Sequence, residues 1–374
     1  MTKNLSRRGV LKGSLLAASA GWLAGVKPLL SEPASSPQAA NHKALLNLNE
    51  SAFGPSPRAL AAIQSELPRI AHYATDELAT AFIKQAAEFE GLPAEQIVPG
   101  EVLTALGSHL AARAGAGAEF LYAAPGYLAL VEAAHRAGGR AVAVPLNAQG
   151  ENDLAAFEAA VTTHTAALYL INPHNPTGTV SDANAFKEFL RRVSKRAPVI
   201  VDEAYLEFAS DYADRTAAPL VREGHNIIVF RTFDKIHGLA GLPMGYAIAP
   251  APLAEYLRTA GVGDAEALGR LNLVAASASL HDQAHVAEVR HAIAGERAQW
   301  HALFDALKLA HSLSTANFVF FDARKPHDEV AAQLAAKGII VARSFAPYTN
   351  WVRITIGTAE ENAKAREAVR ALYQ

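Results

Sequence analysis

Asn172-Pro173-His174-Asn175-Pro176-Thr177-Gly178, Val199-Ile200-Val201-Asp202-Glu203-Ala204-Tyr205 and Ile227-Ile228-Val229-Phe230-Arg231-Thr232-Phe233-Asp234-Lys235 lie in order within one stretch, Asn172 to Tyr246. The first follows the apolar run Ala166-Ala167-Leu168-Tyr169-Leu170-Ile171, and the other two begin with apolar runs of their own. A short apolar run that breaks into polar residues at its C-terminal end predicts a buried parallel strand. Ligands of open α/β sheets collect at the carboxyl ends of the strands. The stretch therefore predicts that Asn175, Asp202, Tyr205 and Lys235 converge on one crevice.

That set has a chemical logic. A lysine at a strand end forms a Schiff base with an aldehyde if its ammonium gives up a proton readily. A buried carboxylate holds a pyridinium proton, and an amide with a phenol can hydrogen-bond a ring oxygen. Together these are the parts of a pyridoxal phosphate (PLP) site. The three strings, continued by Gly238-Leu239-Ala240-Gly241, resemble the class I/II aminotransferases of PLP fold type I, and in particular their histidinol-phosphate aminotransferase branch. Asn47-Leu48-Asn49-Glu50, Gly54-Pro55-Ser56-Pro57 and Val352-Arg353-Ile354-Thr355-Ile356-Gly357-Thr358 extend the resemblance to residues 45–374. It implies a large PLP-binding domain over residues 71–252, its mostly parallel, seven-stranded-type sheet lying between helices. It also implies a smaller α+β domain over 253–374, joined by an N-terminal arm over 41–70.

Composition sets limits. The chain has 374 residues, 51% of them apolar, enough for a large core. A net charge of -2 offers no basic field for nucleic acid. Without cysteine there are no disulfides, no thiol catalysis and no cysteine-based metal site, and no metal site is expected. At the N-terminus, Ser6-Arg7-Arg8-Gly9-Val10-Leu11-Lys12 precedes an apolar run from Ser14 to Val26 and a Pro/Ser/Ala tract. This pattern predicts a twin-arginine export signal and linker over residues 1–40, and with it a periplasmic enzyme. The apolar run is too short for a membrane span. A disordered cytosolic leader is the plainer reading.

The resemblance also assigns roles along the chain. Lys235 is the Schiff-base lysine, Asp202 the partner of the ring nitrogen, and Asn175 and Tyr205 bind the ring oxygen. Tyr127, in Pro125-Gly126-Tyr127, stacks on the ring, and Tyr73 reaches the phosphate of a neighbouring subunit in a homodimer. Gly107-Ser108-His109 is expected to open a helix whose free N–H groups, with Ser108 and His109, cradle the phosphate. Arg353 stands among apolar neighbours, where an unpaired arginine is costly. It receives the substrate carboxylate on the family reading, or a structural acid on the plain one. Asn49 borders the substrate entrance or marks a polar turn, and Arg343 is a second substrate-binding candidate. Helices are also expected from Ser56 with Leu60, Ile63 and Leu67 inward, from Thr75 to Gly91, from Ser181, and from His281 to Leu309.

Two positions depart from the family, both at the phosphate. Asp234 stands before the lysine where serine is usual, and Pro243 replaces an arginine usual eight residues after it. The expected function is a PLP-dependent transaminase moving an amino group between an amino acid or related amine and a 2-oxo acid. The departures keep open a lyase, decarboxylase or oxidase of the same fold, or a non-catalytic relative. Histidinol phosphate suits an exported enzyme poorly, because histidine is made in the cytoplasm.

Overall fold

Each predicted run becomes a strand in the computed structural model, which describes residues 43–374. The twin-arginine leader lies outside the described residues. In chain order the strands are β1 (Ala44–Leu46), β2 (Ile97–Pro99), β3 (Glu119–Ala124), β4 (Arg140–Pro145), β5 (Thr165–Ile171), β6 (Val199–Asp202), β7 (Ile227–Thr232), β8 (Gly245–Ile248), β9 (Phe318–Asp322), β10 (Ile339–Val341) and β11 (Trp351–Thr355). Seven of them form one sheet in the order β2-β8-β7-β6-β5-β3-β4. The last five of that order run parallel, and β8 is antiparallel to both of its neighbours.

The central strands are buried on both faces, and their two-residue alternation divides them between two cores. Leu168, Leu170, Val199 and Val201 pack into one core with Phe82, Phe186 and Phe189. Tyr169, Ile171, Ile200 and Ile228 face the other, with Leu106, Leu130 and Leu257. Register pairs Ile171 with Asp202 and Asp202 with Phe230. The polar residues that follow these strands therefore leave from one edge.

Outside this sheet β1 pairs parallel with β10, and β9 pairs antiparallel with β11. A third core of Trp300, Phe304, Phe318, Phe321, Val352 and Ile354 fills this part. Helix Arg270–Leu280 follows the expected boundary at residue 252, yet Leu273 and Ala276 pack into the core of the large sheet. Among the described residues no helix is long and apolar enough to cross a membrane.

Helix ends follow local chemistry, with instructive shifts. Ser56 caps α1 (Pro57–Glu66) by accepting from the Ala59 N–H. Its inward face is Ala59 and Ile63, while Leu60 and Leu67, one step round the helix, are 45% and 47% exposed. Thr75 caps α2 (Asp76–Glu90), and Gly91 ends it at φ 64°. Asp182, one residue after Ser181, caps the helix Ala183–Val193 through the N–H groups of Asn184 and Ala185. The expected His281–Leu309 helix is shorter, Gln283–Ala306.

The largest correction concerns α3 (Leu103–Ala114), which begins four residues before Gly107. Gly107, Ser108 and His109 therefore sit inside the helix, where backbone N–H groups are already bonded and cannot cradle a phosphate. The glycine serves packing instead. A Cβ on Gly107 would collide with the Leu130 carbonyl of α4 (Ala129–Arg136). His109 meets Tyr256 edge to face, with ring centroids 5.9 Å apart. Helix propensity alone would make Gly107→Ala stabilising by about 1 kcal/mol. The backbone collision reverses the sign, and we expect a loss of roughly 1–3 kcal/mol in urea unfolding. A midpoint at or above that of the wild type would refute this account of the glycine.

Candidate active site

The strand ends open into a cavity of about 660 Å³. Asn49, Tyr127, Asn175, Asp202, Tyr205, Asp234, Lys235, Arg343 and Arg353 all line it. Ser108 and His109 do not line it, and Tyr73 stands 77% exposed outside it. Along the sheet edge Asn175 follows β5, Asp202 ends β6, Lys235 follows β7, and Glu101 follows β2 beyond β8. Asn175 and Glu101 thus lie on opposite sides of Asp202 and Lys235.

Asp202 is 3% exposed. It accepts hydrogen bonds from the Tyr169 hydroxyl at 2.7 Å and the Ala204 N–H at 3.0 Å. Burial pushes its carboxyl above the usual range, and those two bonds together with the Lys235 charge oppose the shift. A cationic N–H donor placed against it would restore the charged form. A protonated pyridine nitrogen is such a donor.

On one side of Lys235 is a chain of polar contacts. Tyr205 Oη accepts from Asn49 Nδ2 at 3.1 Å and from Asn175 Nδ2 at 3.5 Å. Asn175 Oδ1 accepts from Arg353 at 2.6 Å, and the Asn47 carbonyl accepts from the same guanidinium at 2.7 Å. Asn49 is buried at φ 58°, a left-handed conformation that asparagine tolerates, and Thr355 and Asn317 hold it there. Arg353 is 7% exposed and stacks over Phe345 and Phe318, its guanidinium carbon 5.0 and 5.3 Å from the ring centroids. Among the described residues no carboxylate lies within ion-pair distance of it, and its Nε has no partner. Burial lowers its pKa to about 10. The structural acid of the plain reading is absent among the described residues, and the guanidinium faces only neutral acceptors, Asn175 and the Asn47 carbonyl. Arg343 is more peripheral: it is exposed and donates to the Ser344 carbonyl.

The side beyond Lys235 is acidic. Glu101 is an exposed residue whose Oε1 lies near Gly245 and accepts from Thr232 Oγ1 at 3.1 Å. Burial, then the neighbouring Asp234 charge, pushes Glu101 to about 7. Burial also raises Asp234, whose Oδ1 is buried without a partner. Leu103 and Thr104, in the first turn of α3, complete this wall. The histidine that could have offset these acids is elsewhere. His237 is buried between Ser279, 2.8 Å away, and Glu207, 3.2 Å away.

The donors and acceptors fit the pyridine ring of PLP well, and they fit its phosphate only through the α3 N-terminus and Thr104. Sequence reading missed Glu101, which no local motif marks, and Tyr169, hidden inside an apolar run. It also missed His174, whose Nε2 lies 2.8 Å from the Pro125 carbonyl and braces the Tyr127 turn. Burial lowers His174 to about 4, so it is neutral there.

A profile of the family "Aminotransferase class I and II" matches residues 41–370. Histidinol-phosphate aminotransferase of Moorella thermoacetica is 34% identical over 331 residues, 87% of this chain and 84% of that protein. The enzyme of that name from Staphylococcus saprophyticus is 35% identical, with coverages of 86% and 89%. The crystal structure of histidinol-phosphate aminotransferase from Sinorhizobium meliloti in complex with pyridoxal-5'-phosphate is 28% identical. It superposes with a TM-score of 0.78, over 95% of this chain and 99% of that one.

Glu101 gives a pH signature without any ligand. Its folded pKa of about 7 lies above its ordinary 4.5. Its contribution to stability is therefore fully present below pH 4.5 and lost as pH rises through about 7. Glu101→Gln should gain on the wild type in urea midpoint between about pH 5 and about pH 8. A difference that stays constant over that range would count against a raised Glu101.

Proposed function

Because the chain belongs to the class I and II aminotransferases and is a PLP-dependent transaminase, we propose that it moves an amino group between an amino acid or related amine and a 2-oxo acid, with the donor's carboxylate seated on Arg353. One observation carries this reading. Lys235, the buried Asp202 and the Asn175–Tyr205 pair stand together at the strand ends, and Arg353, which has no carboxylate partner among the described residues, lines the same cavity. PLP supplies the carbonyl carbon that exchanges the amino group and the ring that takes up the electron pair. Asp202 would hold the proton on the ring nitrogen, and the Tyr169 hydrogen bond favours its charged form against burial. Tyr205 and Asn175 orient the ring oxygen, and Tyr127 covers the ring. Lys235 Nζ would take and return the proton at the donor's α-carbon. Phe345 and Phe318 keep water from the guanidinium, which strengthens its hold on an anion.

The site is completed by a second copy in a homodimer. Leu48, Phe53, Leu60, Leu67, Ile70 and Tyr73 leave apolar surface exposed on the N-terminal stretch, and Tyr73 would reach the neighbour's phosphate end. Export through the twin-arginine machinery completes the proposal. That route carries folded protein, as a cofactor-loaded enzyme requires. The arginine fork suits a phosphate as well as a carboxylate. Histidinol phosphate, the substrate named in the relatives, is therefore one donor to set against free amino acids.

Titrating the mature protein with PLP should produce a visible absorbance band that is missing in Lys235→Ala. Amino donors should bleach this band, and a 2-oxo acid should restore it. Bleaching and turnover without any 2-oxo acid would indicate a lyase or oxidase instead. Arg353→Ala should cut kcat/KM for carboxylate-bearing donors by roughly 10- to 150-fold, the loss of one charge-assisted contact, and should spare amines without a carboxylate. Equal losses on both would mean that Arg353 is structural.

A further inference from the structure

The cavity's charges are divided. Arg353 and the polar chain through Asn175, Tyr205 and Asn49 occupy one side of Lys235, and Glu101 and Asp234 occupy the other. The substituents of a pyridoxal ring fix what each side must receive. The ring oxygen and the phosphate-bearing arm flank the aldehyde carbon on opposite sides, and the ring nitrogen lies across from it. With the nitrogen on Asp202 and the oxygen on Tyr205 and Asn175, the arm is directed to the wall of Glu101, Thr104, Thr232 and Asp234. A phosphate there meets the uncapped N-terminus of α3 and the Thr104 side chain, which favour it. It also meets two carboxyls, which repel it when charged.

Lys235 is the cation that partly offsets them, and among the described residues the other candidates are engaged elsewhere. Arg353 is bound at Asn175 and Asn47, Arg343 donates to the Ser344 carbonyl, and His237 is held by Ser279 and Glu207. Where a basic side chain would serve, Pro243 only offers its carbonyl to Asn272. The ionisable groups facing the acid pair are Asp202, Lys235 and Tyr127. Thr232 Oγ1 already donates to Glu101, and Asp234 Oδ1 is buried with no partner.

We propose that Glu101 and Asp234 make retention of the cofactor proton-coupled: a carboxyl of this pair donates a hydrogen bond to the phosphate when protonated, and repels it when both are charged. This rests on the pyridine-site reading above. Of the two acids, Glu101 is raised into the neutral range, so the switch works between mildly acidic and mildly alkaline conditions. The site therefore loads below neutrality and discharges above it. An enzyme with a cationic phosphate cup would not behave this way.

The test uses pyridoxamine phosphate and pyridoxamine, which form no bond to Lys235, so that their difference reports the phosphate alone. Binding to the full-length protein would be measured by calorimetry from about pH 5.5 to about pH 8.5, for the wild type and for Glu101→Gln/Asp234→Asn. The phosphate's own second ionisation, near pH 6, is common to both proteins and cancels between them. In the wild type the phosphate compound should lose roughly tenfold or more in affinity across this range, beyond any change for pyridoxamine. The double variant should lose much less and bind tighter than the wild type at the alkaline end. Asp234→Ser, a smaller change, should move the same way. Equal pH slopes in wild type and double variant, or a double variant no tighter at high pH, would overturn the proposal. Pyridoxamine failing to bind at any pH would refute the pyridine-site reading itself, and the proposal with it.

Discussion

The guanidinium of Arg231, 5% exposed near the end of β7, anchors the strand ends on which the cavity is built. It lies 3.0 Å from Glu90 and 2.8 Å from Glu203 and also donates to Thr216. Glu90 accepts further from the Tyr246 hydroxyl, and Glu203 from the Thr216 hydroxyl and the Ala217 N–H. Two acids against one buried base are tolerable only because those neutral donors absorb the excess charge. The network joins α2, β6, β7, β8 and the segment after β6. Removing one member of such a buried pair typically costs about 3–5 kcal/mol, because its partner is left charged and dry.

Strand alternation converts this anchor into a site. Glu203 and Arg231 face each other beneath the sheet edge, so their neighbours Asp202 and Thr232 turn the opposite way, into the cavity. Asp202 then meets Tyr169 across the β5–β6 pairing, and Thr232 meets Glu101. Lys235 follows three residues after Thr232, close enough to be positioned by the same locked strand end. Rigid elements of this kind hold catalytic groups more closely than loops do.

The cavity is polarised from end to end. Its substrate side combines a desolvated arginine, two aromatic rings and neutral acceptors, a setting in which an anion is bound strongly because little water competes. Its far side has a helix N-terminus opposed by two carboxyls. On the reading proposed above, an anion binds without condition at one end and only with a proton at the other. Between them lies Asp202, whose carboxyl burial pushes toward its neutral form and the Tyr169 and Ala204 hydrogen bonds draw back.

Much of this was legible before any coordinates. Apolar runs ending in polar residues placed the strands, and the spacing of Asn175, Asp202, Tyr205 and Lys235 placed their side chains on one edge, because a parallel sheet ends its strands together. Ser56 and Thr75 marked helix starts by a local hydrogen bond that needs no tertiary context. The start of α3 was not legible. Gly107 reads as a turn residue, and only the Leu130 carbonyl on a separate helix explains why a glycine stands inside a helix there. The same holds for Glu101, which no motif marks and which acquires its meaning from Gly245, Thr232 and Asp234, brought to it across β8. It holds too for Arg353, whose lack of a carboxylate partner among the described residues is a fact about three dimensions. The sequence alone determined where strands and helix starts fall, since strand periodicity and helix caps are short-range, and its motif strings carried the resemblance that pointed to the chemistry. Tertiary structure decided how the charges are shared across the cavity, since desolvation and pairing depend on neighbours far away in the chain.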